Sequence, residues 1–208
     1  MAKMTGQELV DFCRTKLGVP YVYGAKGEKM TAEKFNMLQK LYPRYVPYTD
    51  RQKVGKVCVD CSGLIGWAVN MALNSAGWKA AADEIHPIGS LGDAPVGALV
   101  WMTGHIGVYT GKKNGVCHYI AADGSKHGVR EVPISKNNFT HWLLVRDVFD
   151  YGEEEEEVKY YEKLNEIPKW AQPLIKDMIE EGCFADKNAL HLSDDMIRVM
   201  ALWERRKK

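Results

Sequence analysis

Apolar positions along the first 75 residues recur at helical spacing in three places. Thr5 and Glu8 form a capping-box pattern ahead of Leu9, Phe12, Cys13 and Leu17, which share one helical face, and Gly18 and Pro20 close that segment. "TAEKFNMLQKLY" has helical character and runs into the Pro- and Tyr-rich "YPRYVPYTD". After Cys61, the residues Leu64, Ile65, Ala68, Met71 and Ala72 repeat with a helical period, which puts Cys61 at or just before a helix N-terminus. Beyond about residue 95 the period shortens to that of strands. "GALVWM", "HIGVYTG", "VCHYIAA", "VREVPI" and "HWLLVRDV" are β-rich and separated by Gly, Asn and Lys turns. A buried helix followed by a meandering sheet is an α+β order.

A different pattern follows the acidic run "GEEEEE", which reads as a solvated linker over 151–163 between a domain of 1–150 and a small helical module of 164–208. In that module Pro168 is expected to open a helix carrying Trp170, Leu174, Ile175 and Met178, with Gly182 as its stop. Ser193, Asp194 and Asp195 start a second helix bearing Met196, Met200 and Trp203. Trp170 and Trp203 are expected in the module's own core, and Trp101, Tyr109 and Trp142 in the core or groove wall of the first domain.

Composition narrows the partners. The chain has 208 residues and a formal net charge of +1. Residues 1–152 carry 18 Lys+Arg against 13 Asp+Glu, and residues 153–208 carry 10 against 14. That mildly basic front part falls well short of a nucleic-acid footprint. No apolar run reaches the roughly 18–20 residues needed to span a bilayer, so membrane insertion is not expected. The polar start "MAKMTGQELVDFCRTKLG" lacks the form of a secretory signal, so the expectation is synthesis in the cytoplasm. Five scattered cysteines argue for a reduced chain rather than a disulfide framework.

The segment "KVCVDCSGLIGWAV" concentrates the candidate chemistry. Its Cys58 and Cys61 have CxxC spacing, but a redox motif calls for a βαβ context that the first 55 residues lack. Structural zinc needs about four ligands, and no second CxxC or nearby HxxxH supplies them. Burial of Cys61 in a dry core sits poorly with Asp60 and Ser62 beside it. A nucleophile fits better. A thiol at a helix N-terminus meets the positive end of the dipole and unpaired N–H groups, which favour a thiolate and can receive an oxyanion. Such a thiol requires an imidazole partner. Of the six histidines (86, 105, 118, 127, 141, 191), His105 follows Gly104 at a strand start, where its side chain can face the helix. His127, His141 and Cys58 are further candidates for the cleft wall, and His86 and His191 read as loop residues. Oxidative pairing of Cys58 with Cys61 is a conceivable off-switch.

Three motifs in order, "GVPYVYGAKGE", "DCSGLI" and "GHIGVYTG", resemble the NlpC-type cysteine peptidases, papain-like hydrolases of bacterial cell-wall peptides. The likeness covers residues 5–150. With "FTHWLLV" it looks closest to the phage-endolysin branch, and the tail is similar to a small helical module that often follows such domains. The resemblance implies a papain-like α+β fold, with a nucleophile helix packed on an antiparallel sheet. Cys61 is implied as nucleophile, His105 as general base, and Tyr21, Asp60 and Ser62 as substrate-binding, the last two holding the free amino end of a stem peptide. The family's third polar residue falls at Ala121; Asp123, on the same side of the strand and in reach if the chain bends at Gly124, is the candidate to replace it, with a backbone carbonyl or a water as alternatives. The implied reaction is cleavage of the peptidoglycan stem peptide between D-glutamate and the diamino acid through a thioester. It needs no metal or organic cofactor, and a lysin-like monomer would act on the wall after release. Two alternatives stay open: an N-acetylmuramoyl-L-alanine amidase, and a wall-binding protein that keeps the fold without catalysis, the latter suggested by Ala121.

Overall fold

A computed structural model describes residues 3–152, 159–186 and 188–206. The chain divides into two compact units, Met1–Gly152 and Glu153–Lys208.

In the first unit, β1 (Met4–Thr5) leads into α1 (Gly6–Thr15), whose capping box is formed: Thr5 Oγ1 accepts from the Glu8 N–H and the Glu8 carboxylate accepts from the Thr5 N–H. Leu9, Val10 and Cys13 make its buried face. The helix ends before Leu17, which is exposed rather than on that face. Next come β2 (Lys26–Lys29), α2 (Ala32–Leu41, capped by Thr31), β3 (Val57–Val59), α3 (Cys61–Val69) and α4 (Ser75–Ala80). The α3 helix stops at Asn70, which adopts the left-handed conformation, so Met71 and Ala72 lie beyond the helix that their spacing suggested.

A six-stranded antiparallel sheet follows: β4 (Glu84–Pro87), β5 (Leu99–Met102), β6 (His105–Lys113), β7 (Val116–Ala122), β8 (Val129–Pro133) and β9 (His141–Leu144), in the order β4-β9-β5-β6-β7-β8. The unit closes with β10 (Phe149–Asp150), which pairs with β1 in parallel. The five expected strands are present. The pattern missed β4, an edge strand that makes His86 a strand residue stacked on Trp142 rather than a loop residue. It also missed the β2–β3 pair.

Strand alternation divides the apolar residues between the two faces. On one face Leu99, Ile106, Val108, Ile120 and Ala122 pack against α1 and against Leu64 and Ile65 of α3. On the other, Val100, Tyr109, Tyr119, Ala121 and Trp142 gather with Phe139. The Cys61 helix is therefore packed on an antiparallel sheet, the α+β arrangement that the periodicities predict. A third cluster, with Val22, Phe35, Leu38 and Cys58, lies under α2.

The second unit contains β11 (Tyr160–Tyr161), α5 (Gln172–Glu180), β12 (Leu192–Ser193) and α6 (Asp194–Arg206). Residues 153–158 of the expected linker lie outside the described residues, and Tyr160–Tyr161 is not linker: it pairs antiparallel with Leu192–Ser193 and buries Tyr161. The first helix begins at Gln172 with Pro173 in its first turn, whereas Pro168 caps a preceding turn. The unit's core is Tyr161, Ile167, Ala171, Ile175, Leu190, Leu192 and Ile197. Trp170 and Trp203 are 57% and 62% exposed, contrary to the core placement expected of them. Both fall outside the apolar stripe that the β11–β12 pair and the helices cover.

Candidate active site

The site begins with the β3–α3 junction. Asp60 is the N-cap of α3: extended, 5% exposed, and accepting the Gly63 N–H at 2.5 Å on Oδ1. Cys61 is then the first helical residue, and the N–H groups of the first turn precede the first intrahelical bond, from Leu64 to the Asp60 carbonyl. The backbone of "GAKGE" crosses close by. A Cβ at Gly63 would come within 2.4 Å of the Ala25 carbonyl oxygen, so glycine is required where the helix start and this strand meet.

His105 opens β6 after Gly104, whose φ of +80° supplies the turn from β5. Its ring is stacked on Phe139, with centroids 5.6 Å apart, and Nε2 lies 3.3 Å from Asp123 Oδ1. At that separation the two groups form an ion pair whose N–H is not aligned on the carboxylate, so the buried Nε2 lacks a formed hydrogen bond. Burial disfavours the imidazolium. The pull of Asp123, followed by that of Cys61, outweighs it and pushes the His105 pKa up to about 9.

Asp123 follows the last residue of β7, where Gly124 (φ +84°) bends the chain. Burial would raise its pKa, but the attractions of His105 and Arg130 prevail and bring it down to about 2. Arg130, which faces Ala121 across the β7–β8 ladder, donates from Nε to Oδ2 at 2.6 Å and brings Nη2 onto the same oxygen. Tyr119 donates its hydroxyl to Oδ2 at 3.1 Å, and Asn137 donates Nδ2 to Oδ1 at 3.0 Å. Ala121 is fully buried beneath this cluster.

A cleft of about 520 Å³ opens beside the thiol, with Cys61, Asp60, Ser62, Tyr23, Lys26 and Tyr42 among its lining. Tyr21 is half-buried behind it; burial, then the charges of Cys61 and Asp60, push its phenol far up. The structure therefore brings Cys61, His105, Asp123, Asp60 and Ser62 together, with Tyr21 in electrostatic reach. His127 is exposed, and His141 packs near Trp101 and engages Thr140. Cys58 is not a cleft residue, nor is it placed as a partner for Cys61. Strand alternation sends it into the cluster under α2, where its thiol faces the Lys53 and Lys56 carbonyls and burial raises its pKa, while Cys61 belongs to the sheet-facing core.

Sequence reasoning missed four contributors: Lys26, Arg130, Asn137 and the buried pair Asp50–Lys53. Lys53 Nζ donates to Asp50 Oδ1 at 2.6 Å, to the Tyr21 carbonyl at 2.7 Å and to the Ser125 carbonyl at 2.9 Å. It thus ties the segment before the thiol to the loop after Asp123. Only Lys26 and Arg130 left a trace in sequence, as a cation inside "YGAKGE" and one in the strand after "HYIAAD".

No protein-family model matches the chain, and no curated protein sequence matches it. Among solved structures, the chain is similar to the P60 domain of the M. avium subspecies paratuberculosis antigen MAP1204, at 20% identity and a TM-score of 0.46 over 67% of this chain and 93% of that one. It is similar also to the peptidoglycan hydrolase RipB from Mycobacterium tuberculosis (20%, TM-score 0.45) and to NlpC1 from Trichomonas vaginalis (18%, TM-score 0.44). Each match covers 67% of this chain but spans 63% and 43% of those two proteins, respectively. Likeness at this level decides nothing about function, which has to be argued from the chain's own residues.

Proposed function

We propose that the chain is a cysteine hydrolase of peptidoglycan that cuts the stem peptide between D-glutamate and the diamino acid. One observation carries the chemistry: Cys61 stands at the start of α3 in interaction with His105, whose Nε2 lies 3.3 Å from an arginine-braced aspartate. In this mechanism the Cys61 sulfur attacks the amide carbon, and first-turn N–H groups receive the oxyanion. The His105 imidazolium gives its proton to the leaving nitrogen as the C–N bond breaks, leaving a thioester. Water, losing a proton to His105, then attacks the thioester carbon; the C–S bond breaks and the acid is released. Asp123 orients the ring and favours its protonated form.

The substrate assignment rests on the three sequence motifs and on a cleft that pairs a thiol with a polar wall. The second unit is assigned to wall binding, a role supported by its exposed tryptophans, and the whole to a lysin acting on the wall after release.

Purified peptidoglycan of diaminopimelate and lysine types, digested with the protein and with Cys61→Ala and read by mass spectrometry, tests this reading. Fragments ending in D-glutamate are expected from the intact protein alone. Release of whole stem peptides beginning with L-alanine would assign an amidase instead, and sedimentation with the wall without cutting would leave a binding protein.

A further inference from the structure

The resemblance assigns Asp60 and Ser62 to the free amino end of a stem peptide, but in this chain both groups are already engaged by a cation of the protein. Lys26 Nζ lies 2.9 Å from Asp60 Oδ2, 3.1 Å from Oδ1 and 3.2 Å from Ser62 Oγ. The Asp60 oxygens also accept the Gly24 N–H at 3.0 Å, the Gly63 N–H at 2.5 Å and the Ser62 hydroxyl at 3.0 Å. Four donor groups, making five contacts, fill a carboxylate that offers about four lone-pair sites. Ser62 is likewise committed, donating to Asp60 and accepting from Lys26.

The exposure of the pair is lopsided. The Asp60 side chain is 8% exposed and that of Lys26 is 37%, and both line the cleft with Cys61. A ligand at this end of the cleft therefore meets the ammonium before the carboxylate. A second ammonium arriving there would have to displace Lys26 from a buried partner or stand against it with like charge. A carbonyl oxygen or carboxylate would instead accept from Lys26 and leave the Asp60 network intact.

We infer that Lys26 sets the substrate class of this site. It selects stem peptides whose amino end is acylated, as it is while the peptide is still attached to the glycan, over peptides with a free amino end. The inference rests on the stem-peptide reading above and adds to it which form of the peptide is cut.

The test compares two synthetic peptides, L-Ala-γ-D-Glu-L-Lys and its N-acetyl form, cut by the protein, by Lys26→Met and by Lys26→Arg. The wild-type protein is expected to prefer the N-acetyl peptide at least tenfold in kcat/KM. Lys26→Met, which opens Asp60 to a ligand ammonium, is expected to reverse the preference, with most of the change in KM. Lys26→Arg is expected to keep it. Each ratio is measured within one variant, so a partly folded preparation does not distort it. A wild-type preference for the free amine, or a ratio that Lys26→Met leaves unmoved while L-lysine is still released, overturns the role of Lys26 and spares the peptidase reading. Failure of the wild-type protein to cut either peptide, together with an inert peptidoglycan digest, overturns both.

Discussion

Two aspartates with nearly buried side chains flank the candidate thiol and imidazole, and the groups that contact them differ in kind. Each is braced by a basic residue, Asp60 by Lys26 and Asp123 by Arg130. Arg130 and Tyr119 crowd onto one oxygen of Asp123, leaving the other to Asn137 and His105. Both oxygens of Asp60 are shared among backbone amides, Ser62 and Lys26. A carboxylate that faces a histidine can tune a proton; one that faces only backbone amides, a hydroxyl and an ammonium caps a helix and fixes its cation. The two carboxylates carry equally many contacts, so the kind of donor, a titratable imidazole against groups that keep their protons, separates the two roles.

A third aspartate marks the purely structural limit, and it carries the largest expected effect on stability. Asp50 is fully enclosed with Lys53, and removing the cation leaves an uncompensated buried charge. Lys53→Ala is therefore expected to lose about 3–5 kcal/mol in urea unfolding; a loss below about 1 kcal/mol would show that the pair is solvated.

Next in size is the effect of freeing His105 from its carboxylate. With an imidazolium pKa of about 9, activity should hold to that pH and fall above it as the proton donated to the leaving nitrogen is lost. Asp123→Asn should move this alkaline limb toward the ordinary histidine value of about 6.5, costing roughly tenfold in kcat/KM at pH 8. A limb that does not move would assign it to another group. Asp60→Ala, which removes the helix cap but no proton donor, is expected to cost about 0.5–2 kcal/mol of stability and to leave the alkaline limb at pH 9.

The last expected effect is in the pH dependence of stability. His105 has its pKa raised on folding, so its contribution is complete below about 6.5 and is lost as pH rises through about 9. Asp123 has its pKa lowered, so its contribution is present above about 3.9 and is lost as pH falls through about 2. Urea midpoints measured from pH 3 to 10 should fall at both ends, and Asp123→Asn should flatten both limbs.

How much of this was legible before folding depended on range. Helix α1 with its capping box, the start of α3 at Cys61 and the five strands after residue 95 follow from spacing within a dozen residues, because caps and alternation are local physics. The candidate thiol and imidazole were visible for the same reason: a cysteine after an N-cap aspartate, and a histidine after a turn glycine. Edge strand β4 was not, since Glu84–Pro87 becomes a strand only by pairing with β9 nearly 60 residues later. Trp170 and Trp203 look like core residues by size, but the pairing of Tyr160–Tyr161 with Leu192–Ser193 closes the second unit's core without them.

By itself, then, the sequence determined the α+β order, the helix that presents Cys61, and a strand alternation that puts Asp123 on the side of Tyr119 and Ala121. Tertiary structure alone decided which partner each aspartate receives. Lys26 reaches Asp60 across 34 positions, and Lys53 meets Ser125 across 72. Arg130 is only seven residues from Asp123, but the approach depends on the β7–β8 ladder. Ion pairs and saturated lone pairs are made by side chains that converge in space, and no local period records where they converge.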